Sequence, residues 1–169
     1  VNLQASVIGG TVTASTGGVV QAIGNTAALD GLGLHPVTLS TALQVNDAQS
    51  LTLLGGINNN GTIALKSTGG FTDLRLNSAI VTLRTGGTIA MSNNANNRIF
   101  GNSSNYQLVN VNNKIIGAGQ LGSGQMTFSN AGLVDANQTT ALVLNTNGNV
   151  VTNTGTLQST GTGGLAVQS

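Results

Sequence analysis

Apolar residues along this chain recur at alternate positions in short doublets, each cut off within a few residues by glycine or asparagine. Leu51/Leu53, Ile63/Leu65, Leu74/Leu76, Val81/Leu83, Ile89/Met91, Met126/Phe128, Leu142/Leu144 and Leu165/Val167 all follow the pattern. A period of two is the mark of a strand with one buried face. The breaks between doublets, such as GGINNNG over 55–61 and SNNANN over 92–97, are rich in residues that tolerate positive φ. Each break therefore predicts a corner, and the stretches between corners predict strands of about three to five residues.

The doublets belong to longer repeats. SNAGLVDANQTTALVLN (129–145) returns as TNTGTLQSTGTGGLAVQ (152–168) at an offset of 23, matching Asn130 with Asn153, Gly132 with Gly155, Val134 with Leu157 and Leu142 with Leu165. NNGTIALKS (59–67) is echoed by GGTIAMSNN (86–94). A fixed period of this size is the signature of a solenoid, in which each repeat buries its apolar face only against its neighbours. The sequence predicts an all-β, single-stranded parallel β-helix (a β-solenoid) with two or three strands per coil and about seven or eight coils, taking roughly 22 residues per coil. A sandwich or barrel also has many short strands, but it needs no fixed repeat and normally carries aromatic core residues. Residues 1–169 read as one domain, less regular over 1–50, where VIGGTVTASTGGVVQAI (7–23) keeps the doublets and NTAALDGLGLHPVTLST (25–41) reads as a long loop inserted into one coil.

Composition narrows the interior. Aromatic residues are only 2% of the chain against 39% hydrophobic, so the core must be thin and built from Leu, Ile, Val and Ala. Charged residues are only 5%, with no Glu at all, so polarity comes from Asn, Thr, Ser, Gln and 25 Gly, a set with low helix propensity. Stacked asparagines can also form hydrogen-bonded amide ladders from coil to coil, and Asn58, Asn59, Asn60, Asn93, Asn94, Asn96 and Asn97 are the candidates; the alternative is that they only supply turn geometry.

Charge limits the partners. The formal net charge is +1, and Lys66, Arg75, Arg84, Arg98 and Lys114 are scattered, which argues against a surface that tracks phosphates and hence against nucleic acid. No cysteine is present, so there is no disulfide framework and no thiolate metal site. The chain opens at Val1 without a basic and apolar leader and has no apolar run near 18 residues, so neither a signal peptide nor a membrane span is expected in it.

From residue 51 onward, LTLLGGINNNGTIALKSTGGFTDLRL, TGGTIAMSNNANNRIFG, LVNVNNKIIGAGQLGSGQMTFSNAGLVDAN and VTNTGTLQSTGTGGLAV resemble the repeats of large bacterial exported adhesins of the filamentous-haemagglutinin and autotransporter type. The likeness lies in repeat style, with the N-x-G-T-[IL] and I-x-G-A-G-x-L segments its most specific parts. It implies a right-handed parallel β-helix displayed outside the cell, and it implies no receptor.

Candidate chemistry is sparse. Asp30, Asp47, Asp73 and Asp135 are the only acidic residues. A glycosidase needs two carboxyls about 5–10 Å apart, and only Asp47 and Asp73 have a spacing that could bring them onto adjacent coils. Asp73 and Arg75 share a strand face and read as an exposed ion pair. Arg75 and Arg98 read as a small basic strip on successive coils, a feature an anionic glycan could use. His35, beside Pro36, lacks a nucleophile or carboxylate at a recognisable spacing and reads as a loop residue. GAGQLGSGQ (117–125) lacks the GK[ST] ending of a phosphate loop and reads as a corner. No catalytic, cofactor-binding or metal-binding residue is therefore assigned. The expected function is a non-enzymatic extracellular rod, secreted or at the cell surface, structural or adhesive. Its expected partners are its own kind through the solenoid ends, a longer parent chain, or a surface glycan. The alternative is a carbohydrate-active or carbohydrate-binding β-helix; ice binding through Thr rows such as Thr11/Thr13 is the weakest reading.

Overall fold

The computed structural model describes residues 1–168 and consists of twenty-one β-strands with no helix among them. Every pairing between strands is parallel, and the strands stack as coils of a solenoid. Each coil has three sides. The first side is a ladder of eight strands: Asn2–Leu3, Val20–Ala22, Ala42–Asn46, Thr62–Lys66, Thr88–Met91, Lys114–Ile116, Leu133–Ala136 and Thr156–Ser159. Eight stacked strands define about seven turns, in line with the repeat length read from the sequence.

The other two sides form one bent sheet of thirteen strands. In most coils they are separate strands, such as Ser6–Ile8 and Gly10–Val12; Ser50–Asn59 and Thr72–Arg84 instead run continuously around the corner. The register shifts between Leu76 and Val81, where the longer strand makes that bend.

The period-two pattern works as predicted. One inward column on the first side runs Leu43, Ile63, Ile89, Ile115 and Val134, and all five are fully buried. The second side adds Leu51, Leu74, Ile99, Leu121 and Leu144; the third adds Val81, Leu108 and Phe128. Aliphatic side chains of this kind contribute roughly 1.5–3 kcal/mol each on full burial, so the stack of columns carries the stability of the fold. The doublet Leu165/Val167 differs: Val167 is 51% exposed, because no described coil lies beyond it.

Two expectations need correction. Residues 25–41 are not one inserted loop: Ala28–Gly31 and Val37–Leu39 are strands in register with Ser50–Asn59, and only 32–36 depart from the coil. Their core positions were hidden because Ala28 and Leu29 sit beside Asp30, which masks the alternation. GAGQLGSGQ is likewise not all corner, since Gly119–Leu121 is a strand pairing with Arg98–Ile99 and with Leu142–Leu144. There Gly119 is needed because a Cβ would lie 2.3 Å from the carbonyl oxygen of Asn97 on the preceding coil.

Candidate functional site

The corner entering the first side holds a column of amides. Asn110 donates from Nδ2 to Oδ1 of Asn130 at 2.7 Å, and Asn130 donates in turn to Oδ1 of Asn153 at 2.8 Å. Each of these asparagines also donates to a carbonyl of its own coil, at Asn113, Gly132 and Gly155 respectively. Asn110 and Asn130 are buried, so the ladder satisfies groups that would otherwise cost about 1–3 kcal/mol apiece. Of the predicted ladder residues, Asn59 joins this column through Asn113. Asn97 is a second buried hub, accepting from Ser67 N and donating to the Ser92, Asn94 and Ala118 carbonyls. Asn93 and Asn96 reach other coils from the surface. Asn94 accepts from the Asn96 backbone within its own turn. Asn58 and Asn60 make no side-chain hydrogen bond among those described. Asn110, Asn113, Asn130 and Asn153 were absent from the prediction, although the Asn130/Asn153 match across the repeat was the signal that could have found them.

On the outer face of the second side, the expected exposed pair of Asp73 and Arg75 is a different object. Asp73 is only 2% exposed and is held by two arginines. Arg98 lies directly beside it in register on the next coil and makes a fork, Nε to Oδ1 at 2.8 Å and Nη2 to Oδ2 at 2.9 Å. Arg75 donates to Oδ2 from Nε at 3.2 Å and from Nη2 at 2.8 Å. The two arginines thus do not form a simple vertical strip: Arg75 stacks in register on Phe100, and Asp73 joins the cations diagonally. Arg98 also lies 3.9 Å over the ring of Phe71 and 5.1 Å from the Phe100 ring centre. Two of the three phenylalanines and two of the three arginines of the chain therefore meet on one face.

A groove of about 360 Å³ opens one coil further along the same face. Gln120, the in-register neighbour of Arg98, forms part of its wall, with Ser123, Thr140, Val143, Asn145 and Gln168. One rim is fastened by Asn93, whose Oδ1 accepts from the Thr140 backbone at 2.9 Å and whose Nδ2 donates to Thr139 Oγ1 at 2.7 Å. That clasp joins segments 47 residues apart and fixes the groove between two corners.

The remaining sequence candidates do not assemble. Asp47 and Asp73 share no hydrogen-bond partner: Asp47 Oδ1 accepts from the backbones of Thr68, Gly69 and Gly70, and Asp73 is aligned with Ser50. The Thr68 and Gly70 N–H groups hold the Asp47 carboxyl below its ordinary value, against a smaller opposing effect of burial. Asp135 is bound by Gln158 and Thr160, and Asp30 accepts from Leu32 N. His35 lies exposed in the 32–36 bend. No group of three or more His, Asp or Glu side chains among the described residues is placed to hold a metal ion. Thr11 aligns with Thr38, and the column continues to Asn58 and Arg84 without a further threonine.

No protein-family model matches the chain, and no curated protein or solved structure matches it either. No helix of the described residues is long and apolar enough to cross a membrane.

Proposed function

We propose that this chain is a structural and adhesive rod segment working outside the cell, without catalysis, either within a longer parent rod or associating with its own kind through the ends of the stack. The observation that carries this reading is the unbroken parallel stacking of three sides through the described residues. A stack of this kind adds coils by the same parallel pairing at each step, and heterologous contacts between identical units propagate rather than close. All four carboxylates are occupied in separate local bonds, which supports a non-catalytic role. The nearly neutral amide and hydroxyl surface suits close side-by-side contact without charge repulsion.

Negative-stain microscopy across a range of concentrations tests the reading. Filaments whose length grows with concentration support stacking through the ends, and discrete short rods support a stalk or adhesin segment. Compact particles of no fixed axis overturn it.

A further inference from the structure

We infer that the Phe71, Asp73, Arg75, Arg98 and Phe100 face, with the groove beyond Gln120, is a binding site for an acidic oligosaccharide. The inference rests on the adhesive part of the reading above and names the ligand class.

The cations come first. Asp73 uses both oxygens to align two guanidiniums, yet it cancels only one of their two charges. In both arginines the donors engaged are Nε and Nη2, which leaves Nη1 without a protein partner among the described residues. A guanidinium has five N–H donors in a planar fork, so the free edge can take a second carboxylate while the first holds it still. The arginines are 33% and 25% exposed, enough to meet a ligand and too little for their side chains to swing freely. Phe71 stacks on Arg98 and keeps that guanidinium flat against the face. Asp73 is thus a positioning residue, and the arginines are the ligand contacts.

The groove supplies the second half. Ser123 donates to Gln120 Oε1 at 3.1 Å, Gln120 Nε2 to the Ala95 carbonyl at 3.3 Å and Asn145 Nδ2 to Gln168 Oε1 at 3.4 Å. These groups are thus held in place while their second N–H bonds and lone pairs, with the Thr140 hydroxyl, remain for sugar hydroxyls; Val143 offers an apolar patch for the C–H face of a ring. Because Arg98 and Gln120 are adjacent in register, the spacing between them is one strand separation, about 4.8 Å. A chain of sugars laid along the solenoid axis meets the guanidiniums and then the groove. Nucleic acid is a poorer fit, since only two cations lie here and phosphates need a longer track.

The test uses the full chain and a tetrasaccharide of galacturonic acid, titrated by calorimetry, against a neutral galactose tetrasaccharide, sodium sulfate and a tetra-aspartate peptide. Binding of the acidic tetrasaccharide above all three others is expected. R75Q and R98Q should each weaken it roughly tenfold or more, as loss of a charge-assisted fork does. Arg98→Lys keeps the charge and loses the fork, so it should fall between wild type and R98Q; S123A should weaken only the saccharide, and R84Q should change nothing. Equal binding of the neutral sugar, of sulfate or of the peptide overturns the inference, as does an undiminished titration with R75Q and R98Q once circular dichroism shows them folded. No binding at millimolar concentration also overturns it, and rods seen by microscopy in that case leave the structural reading standing.

Discussion

Asn59 and Asn113, 54 residues apart in sequence, share a hydrogen bond of 2.9 Å from Nδ2 to Oδ1 inside the corner of the solenoid. The bond spans a whole intervening coil, which contributes only Thr85, Gly86 and Gly87 at that point. Gly87 leaves the passage open: a Cβ there would lie 2.3 Å from the Asn59 carbonyl oxygen and 2.7 Å from its Nδ2.

Gly87→Ala should therefore cost about 2–4 kcal/mol, from overpacking together with a displaced buried amide. Urea unfolding followed by circular dichroism checks this, with a lowered midpoint and an unchanged slope expected.

The ladder predicts a gradient. Asn130→Ala removes the central rung and strands a buried donor on Asn110, so about 2–3 kcal/mol should be lost. Asn153→Ala touches an exposed end of the same ladder and should cost under about 1 kcal/mol. Equal losses at the two positions would remove the ladder as a source of stability.

Asp73→Ala should destabilise more than either arginine variant. It leaves two cations facing one another without their counter-charge, worth about 2–3 kcal/mol because the carboxylate is buried while the arginines keep part of their hydration. Thermal melts of Asp73→Ala, R75Q and R98Q give the ranking; its reversal would show that desolvation of Asp73 outweighs the two ion pairs.

Acid should act through Asp47. Its folded-state carboxyl titrates below the ordinary 3.8 because backbone N–H groups, led by that of Thr68, favour the charged form. Its contribution is full above the unfolded value and is lost as pH falls through the lower folded value. Asp47→Asn should be less stable than wild type at neutral pH, with the difference shrinking below about pH 4. Urea midpoints measured across that interval check the sign.

Thr85 has a φ of 76°, a conformation that a β-branched residue rarely adopts. Thr85→Asn should raise stability by about 0.5–1 kcal/mol, since Asn tolerates the left-handed region. A higher melting temperature is the expected readout.

The solenoid itself was legible in the sequence because its core obeys two regularities at once. Ile63 and Ile89 alternate with polar neighbours along their strands, and they also repeat down the stack, so each position is specified twice. The candidate face was only half legible. Asp73 and Arg75 are visible as a pair along one strand, whereas the stronger fork from Arg98 depends on register across coils, and one residue of corner length would have put Asn97 or Ile99 there instead. The groove was not legible at all, since Asn93 and Thr140 are joined over two coils by corner geometry that no local pattern encodes.

Successive coils advance by different amounts along the chain: 20 residues from Asn110 to Asn130, 23 from Asn130 to Asn153 and 25 from Asp73 to Arg98. The sides nonetheless keep one pitch, so every surplus residue is shed into a corner, as in 32–36. Foreign peptides spliced at such corners would stand out from the shaft at regular heights without disturbing the columns beneath. The architecture is in that sense a ruler, along which recognition loops can be exchanged one notch at a time.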